Sequence, residues 1–524
     1  MFLALDSALP AFAGTGLAGM TYSKDLVKFV AFRIESSMIP AYASFGAPEP
    51  NVRDVKLYET TLSGDLAGND INVNDPCVLA NDPNRAENAY HVVTTSNTAQ
   101  TAILDGFTIT GGNANESSTY GGGIYNSKGS PTIICCTMIS NLAELGAGMY
   151  NYNAAPTITN CIWNGNRANY GAGIYSKDSE PNITSCILSR NIAETSGGGI
   201  YDNNSSPVLT DCTFTENSAN YAGGMYNYQQ SNPIVNNCKF IGNSAINLGG
   251  GMYNKNSSPS VIFCTLIDNT ADHGAGTYNN NGSPAMTNCI FSGNSASYAG
   301  GMWNSGASGP TLTNCTFSAN SAVNLGGGMY NSSSTPTITN CVFWGNSDWG
   351  GYDESAQIDG SSPIITYSCV QALDTFAGPP GNIGDNPLFV DPDGSDNIIG
   401  TEDDNLRLSF DSSCIDVGDN TAVPAGITTD FDSRPRIIDG DCNGTDIVDM
   451  GAYEFSWVSI GDFAGGCDVD FEDFAVFASA WLTEPGLPAY NTNCDISLPV
   501  DNRIDMLDLD VFTNNWLVGK TLQN

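Results

Sequence analysis

The sequence predicts an all-β chain, a right-handed parallel β-helix, with a small α-helical module at its C-terminal end. Three observations predict it. A unit of 25 or 26 residues recurs nine times, its apolar stretches are too short for helices, and the same residue type returns at each key position.

The unit is read from three markers. Cys136, Cys161, Cys186, Cys212, Cys238, Cys264, Cys289, Cys315 and Cys341 are 25 or 26 residues apart. A proline stands five residues before each, from Pro131 to Pro336, and an asparagine five residues after each, from Asn141 to Asn346. The second residue after the proline is aliphatic in most units, as in Ile133, Leu209 and Ile338. The second after the cysteine is large and apolar, as in Trp163, Phe214 and Phe343. A glycine-rich corner precedes each unit, as in Gly249-Gly250-Gly251-Met252-Tyr253-Asn254.

Such a coil has room for three short strands and three turns, which predicts a three-sheet solenoid. Stacked coils place equivalent residues about 4.8 Å apart, so identical residues form ladders. Each coil buries its apolar positions only against its neighbours. Asparagine can pass amide hydrogen bonds from coil to coil at a turn whose backbone is buried. Glycine permits the tight corner, and cysteine packs as a small apolar residue. In-register strands hold Cβ atoms too far apart for bridging, so the column thiols are expected to be free and inert. The alternative for that column is a metal or redox chain.

The 524 residues carry 55 Asp+Glu against 17 Lys+Arg, a net charge of −38. Such a surface repels nucleic acid and anionic lipid and favours cations such as calcium. No run of 18 apolar residues is present, so no transmembrane helix is expected. Residues 1–13 are apolar and end in Ala11-Phe12-Ala13, which resembles a cleavage site, yet no positive charge precedes them and Asp6 interrupts them. A start truncated relative to the natural gene is the competing reading.

The Gly121–Tyr125, Gly197–Tyr201 and Gly326–Tyr330 motifs alternate with Phe214–Asn217, Phe240–Asn243, Phe291–Asn294 and Phe343–Asn346. This alternation resembles the repeats of polymorphic outer-membrane proteins. More broadly, residues 90–370 resemble the right-handed β-helix proteins of the pectate-lyase-like superfamily. That resemblance implies the fold and leaves the activity open, since lyases, hydrolases, adhesins and structural proteins share it. The stretches Asn386–Pro392, Ser413–Asp419 and Asp449–Glu454 resemble the region that follows such helices in bacterial proteins, and are expected to cap the open end. The expected divisions are 1–50, a poorly defined N-terminal segment; 51–120, irregular first coils; 121–371, regular coils; 372–456, the capping region; and 457–524, the C-terminal module.

That module holds a duplication. Asp470-Phe471-Glu472-Asp473-Phe474-Ala475-Val476-Phe477 returns 35 residues later as Asp505-Met506-Leu507-Asp508-Leu509-Asp510-Val511-Phe512, and Trp481 aligns with Trp516. Each half reads as an acidic loop entering an amphipathic helix. The pair resembles a type I dockerin, which implies calcium in each loop and a cohesin-like partner. Carried over by position, the ligands are Asp462, Asp468, Asp470 and Asp473 in one half, and Asp501, Asp505 and Asp508 in the other. Gly466 and Cys467 depart from the dockerin pattern, and Asp495 is displaced by what looks like a two-residue insertion. The competing reading is a helical hairpin with solvated carboxylates at its helix N-termini. A Cys467–Cys494 disulfide would tie the two loops.

No catalytic set emerges from the coils. Their basic residues are Lys128, Arg167, Lys177, Arg190, Lys239 and Lys255, and the Arg-x-Pro-x-x-Arg signature of pectate lyases is absent. His273-Gly274 lacks the preceding glycine of polygalacturonases. Asp202, Asp211 and Glu216 share one coil without forming a pair. A stripe of aromatic residues follows the glycine corner, including Tyr201, Tyr226, Tyr253, Tyr278, Trp303 and Tyr330, each preceded by Ile or Met except at Thr277. With Ile/Met inward, the rings face out, either as a carbohydrate-binding platform or as a self-stacking ladder.

The expected function is a non-catalytic, extracellular or cell-surface protein of adhesin or scaffold type. It would bind polysaccharide or a cell-surface glycan and attach through the C-terminal module. The alternatives are a polysaccharide lyase or glycoside hydrolase on the same scaffold, and a structural spacer.

Overall fold

Laddered side chains dictate parallel strands in exact step, and the computed structural model has them. It describes residues 59–70, 78, 82–114, 119–456, 471–485, 487, 491, 494, 496 and 503–514. The expected segment 1–50 lies outside these. The coils build four parallel sheets, here named by their markers. The proline sheet has 11 strands, from Ile103–Asp105 to Ile364–Thr366, and the phenylalanine sheet 12, from Thr61–Ser63 to Cys369–Val370. A short sheet of 9 strands runs from Asn113–Ala114 to Ser321–Ala322, and the tyrosine sheet has 11, from Val93–Ser96 to Ile358–Gly360.

The three-sheet expectation is therefore corrected to four. The stretch between the asparagine and the glycine corner is itself long enough to pair, as in Arg167–Tyr170. It also absorbs part of the difference between unequal coils. Asn191 to Tyr201 is one residue longer than Asn166 to Tyr175, and the register shifts between Ala168 and Tyr170. Elsewhere pairing is strictly in step, as in Leu209↔Val235, Phe214↔Phe240 and Tyr201↔Tyr226.

The interior is a continuous apolar column. Trp163, Phe214, Phe240, Phe291, Phe317 and Phe343 are fully buried, and Phe291 stacks on Phe317 with centroids 4.3 Å apart. Each such side chain contributes about 1.5–3 kcal/mol of burial. The corner glycines make room for these rings. A Cβ at Gly148 would lie 2.5 Å from the Trp163 ring, and one at Gly199 would lie 2.9 Å from the Phe214 ring.

The asparagine column behaves as its chemistry requires. Asn243 Nδ2 donates to Phe214 O at 2.9 Å and to Asn269 Oδ1 at 3.0 Å, while its own Oδ1 accepts from Asn217 N and Nδ2. Gln357 ends the ladder, accepting from Asn346 Nδ2 at 2.8 Å and donating back to Asn346 O at 2.8 Å. The column cysteines are free thiols. They do more than fill space: Cys161 Sγ donates to Thr159 O at 3.3 Å and accepts from Cys136 N at 3.4 Å. Burial raises the pKa of Cys161, Cys289 and Cys341.

At the first coils, buried Arg85 pairs with Asp70 at 3.2 Å and donates to Gly112 O and Ser140 O. At the last, Leu373 and Phe376 pack on the apolar column. The capping region was expected over the open end, but residues 385–455 instead lie along the flank, on the outer face of the phenylalanine sheet. Asn288 Nδ2 donates to Thr429 O, Ala452 N donates to Thr316 Oγ1, and Asn340 exchanges hydrogen bonds with Asp419. The reason is apolar surface: outward-facing Ile290 and Val342 are buried by Leu406, Tyr453, Ile415 and Met450. The equivalent Ile187, in a coil the flank cap does not reach, is 41% exposed.

Within the C-terminal segment two helices, Phe471–Ala480 and Met506–Asn514, share a small core of Phe477, Ala480, Cys494, Ile504 and Phe512. Cys494 is a buried free thiol, so the expected Cys467–Cys494 disulfide is not formed.

Candidate functional site

The aromatic stripe faces outward, as the alternation required, with Met225 and Met252 inward. Its rings are nonetheless covered. Tyr201, Tyr226, Tyr253 and Tyr278 are at most 9% exposed, while Trp303 and Tyr330 are half-buried. Tyr201 stacks on Tyr226 with centroids 4.9 Å apart, and Tyr253 meets Tyr278 edge-on at 5.0 Å. Tyr170 and Tyr221, from the short sheet, close over Tyr201 and Tyr253. Burial raises the phenol pKa of Tyr201, Tyr226 and Tyr253. The open platform is thus corrected to a self-stacking ladder, because side chains of the adjacent sheet occupy the faces a sugar would use.

The charged groups of the coils do not converge. Arg167 pairs with Glu194 at 2.9 Å, Arg190 with Glu216 at 3.2 Å, and Lys239 with Glu402 of the flank cap at 3.3 Å. His273 pairs with Asp272 at 2.9 Å and stacks on Tyr298. Asp202 is fully buried in the wall, whereas Asp211 holds Asn237 Nδ2 at the surface.

A shallow polar trough runs along the turns between the tyrosine and proline sheets. Asn153, Asp178, Glu180, Asn204 and Gln230 line it. Its floor is a serine ladder: Ala154 N donates to Ser179 Oγ, Ser179 N to Ser205 Oγ and Ser205 N to Ser231 Oγ, at 3.0–3.1 Å. Asn153, Asp178 and Asn204 hold positive φ of 49–53°, a conformation their short polar side chains tolerate. Tyr152 and Tyr228 end the strands leading into it, with Lys177 and Lys255 above their rings at 5.9 and 5.6 Å.

Of the seven expected calcium ligands, Asp462, Asp468, Asp470 and Asp501 lie outside the described residues. Asp473 and Asp508 occupy equivalent, buried places at their helix starts. Asp508 accepts from Ile496 N at 2.8 Å and Asp505 N at 2.9 Å, and Asp505 accepts from Leu507 N. The bonds from Asp505 N and Leu507 N are helix-start hydrogen bonds, while the burial of Asp473 and Asp508 departs from the solvated carboxylates of the competing reading.

A carboxylate group that sequence reasoning missed lies in the flank cap. Asp416, Asp439 and Asp441 each bring one oxygen within 4.8 Å of the others. Asp439 accepts from Asn443 N at 2.9 Å and Gly444 N at 2.7 Å, and Asp441 from Asn443 Nδ2 at 2.9 Å. Burial, with Asp441 beside it, pushes the Asp416 carboxyl up to about 6, and burial pushes Asp449 up to about 7. The readable signal was Asp439-Gly440-Asp441-Cys442-Asn443-Gly444, the opening of a calcium-loop signature.

The family model described as "Right handed beta helix region" matches residues 184–299 and 254–377. No curated protein matches the chain. Among solved structures, that of pectate lyase Pel9A is similar at a TM-score of 0.33 and 13% identity, over 70% of this chain and 86% of that one. Nothing about chemistry follows from a likeness at that level. The family match and the in-step sheets together make this column a right-handed β-helix repeat.

Proposed function

We propose that the protein is a non-catalytic, extracellular or cell-surface β-helix that binds an extended polysaccharide or the glycan coat of a partner cell. The observation that carries this reading is the trough. It presents amide, carboxylate and hydroxyl groups at one-coil intervals along a straight edge, with Tyr152 and Tyr228 beside it. A repeating polar edge suits a repeating polymer, and the net charge of −38 favours a neutral polymer over a polyanion. The two-helix C-terminal unit is the proposed attachment point, taking calcium in its loops and a cohesin-like protein as partner, on the strength of its dockerin resemblance.

The test is retention of the full chain in gels containing neutral or acidic polysaccharides, with calcium or chelator, alongside assays for new reducing ends and unsaturated products. Retention by a neutral glycan that weakens in Tyr152→Ala and Tyr228→Ala supports the reading. Turnover of any glycan replaces it with the lyase or hydrolase reading and directs attention to Asp178 and Glu180. Neither retention nor turnover leaves the column as a structural spacer.

A further inference from the structure

We propose that Asp416, Asp439 and Asp441, with Asn443, form a calcium site that fastens the flank cap to itself and so to the side of the solenoid. The sequence Asp439-x-Asp441-x-Asn443-Gly444 supplies oxygen ligands at the first, third and fifth places of a calcium loop, with the glycine that allows its sharp turn. Gly444 has φ +90°, which a side chain would strain. The acid that closes such a loop is missing, since that place is taken by Met450, which is buried in the cap's core.

Asp416 stands where the missing acid is needed. It arrives from a separate segment and is only 6% exposed. Its Oδ2 accepts the Asp441 backbone N–H at 2.6 Å, while its Oδ1 is buried and accepts no hydrogen bond. That oxygen lies 3.6 Å from where a Cβ on Gly440 would be, so it faces the loop. A buried carboxylate oxygen without a donor, set against two further carboxylates, calls for a cation. The buried cation of the cap, Arg436, pairs with Glu454 at 3.2 Å. Oxygen-only ligands of mixed carboxylate and amide type select a hard cation with flexible coordination, which is calcium rather than magnesium or zinc.

The position gives the ion a task. The Asp416 segment bonds the solenoid through Asp419 and Asn340, and Asp416 N donates to Asp449 Oδ1 at 2.7 Å. The Asp439 loop is otherwise joined to that segment through hydrogen bonds of Gly418 N to Val448 O, Val448 N to Asn420 Oδ1 and Asn420 Nδ2 to Asp446 O, and Cys442 within it is disulfide-bonded. An ion between Asp416 and the loop would clamp these two segments of the cap to each other.

The experiment uses the full chain and calcium alone. Equilibrium dialysis counts bound calcium per chain for the wild type, for Asp416→Asn and Asp441→Asn, and for Glu194→Gln, whose carboxylate pairs with Arg167 in the coils. Limited proteolysis with and without chelator follows cleavage within 385–455. Asp441 is exposed, and asparagine can still accept its loop hydrogen bond, so Asp441→Asn keeps the test open should Asp416→Asn fold poorly. We expect Asp416→Asn and Asp441→Asn each to lose one bound calcium and the calcium protection of the cap, while Glu194→Gln keeps both. If the folded Asp441→Asn protein binds as many calcium ions as the wild type and is protected equally, the proposal is overturned.

Discussion

Asp202 is paired with Asn227 in the next coil of the tyrosine sheet, where Asn227 Oδ1 is buried without a donor and the Asp202 carboxylate has only the Ser176 hydroxyl of the preceding coil beside it. On the far side of Asn227 the column runs as an unbroken amide ladder, Asn227 to Asn254 to Asn279 to Asn304 to Asn331, each step at 2.8–2.9 Å. Asp202 is an acid in a column built for amides.

Burial holds the Asp202 carboxyl well above its ordinary value. Below about pH 4 the folded and unfolded chains both carry the proton, and there is no penalty. As pH rises past that point the unfolded chain ionises first, so stability falls toward neutrality. Asp202→Asn removes this loss and supplies a donor to Asn227. At pH 7 it should stabilise the protein by about 1–3 kcal/mol, and by less at pH 4. Denaturation midpoints at the two pH values check this, and an equal effect at both would contradict it.

Asn243→Ala strips the turn of a side chain that both donates and accepts. Phe214 O and Asn217 N would be left buried and unpaired. The expected cost is about 3 kcal/mol or more, whereas exposed Asn182→Thr should stay within about 0.5 kcal/mol. Parallel denaturant titrations of the two variants decide it.

The column thiols should not react with a thiol reagent until the solenoid unfolds, because they are buried out of reach of the reagent. Among the thirteen free cysteines of the described residues, native protein should label at Cys135 at most, the half-exposed member. Labelling in denaturant should reach all thirteen, as mass spectrometry of the labelled peptides would show.

Arg436→Leu should loosen the flank cap without unfolding the coils. Arg436 is buried against Glu454 and also donates to Asp449 O and Gly451 O. Removing one partner of a buried pair typically costs about 3–5 kcal/mol. Faster protease cleavage within 385–455, with the solenoid circular dichroism unchanged, is the expected result.

Much of the column was legible because a solenoid writes its geometry repeatedly. The Pro, Cys and Asn markers gave the register, and period-two alternation put Met225 inside and Tyr226 outside. The cover over the tyrosine ladder was not legible, since Tyr170 and Tyr221 reach it from a different sheet. Placement of the flank cap had a faint signal, the apolar Ile290 and Val342 at an outward position. The acidic group was half readable: the Asp439 loop follows a local pattern, but Asp416 joins it only through the fold.

The short sheet has a consequence for how such a chain can change length. Three faces of the column keep strict step, while the slack sits in the fourth, as the extra residue between Asn191 and Tyr201 shows, and in the turn after the tyrosine sheet, as the extra residue between Tyr226 and Pro233 shows. That face works like an expansion joint. An insertion there is taken up locally, whereas one beside Phe240 would put every later side chain on the wrong face. Coils of unequal length can therefore be added or removed without disturbing the alignment of those that remain.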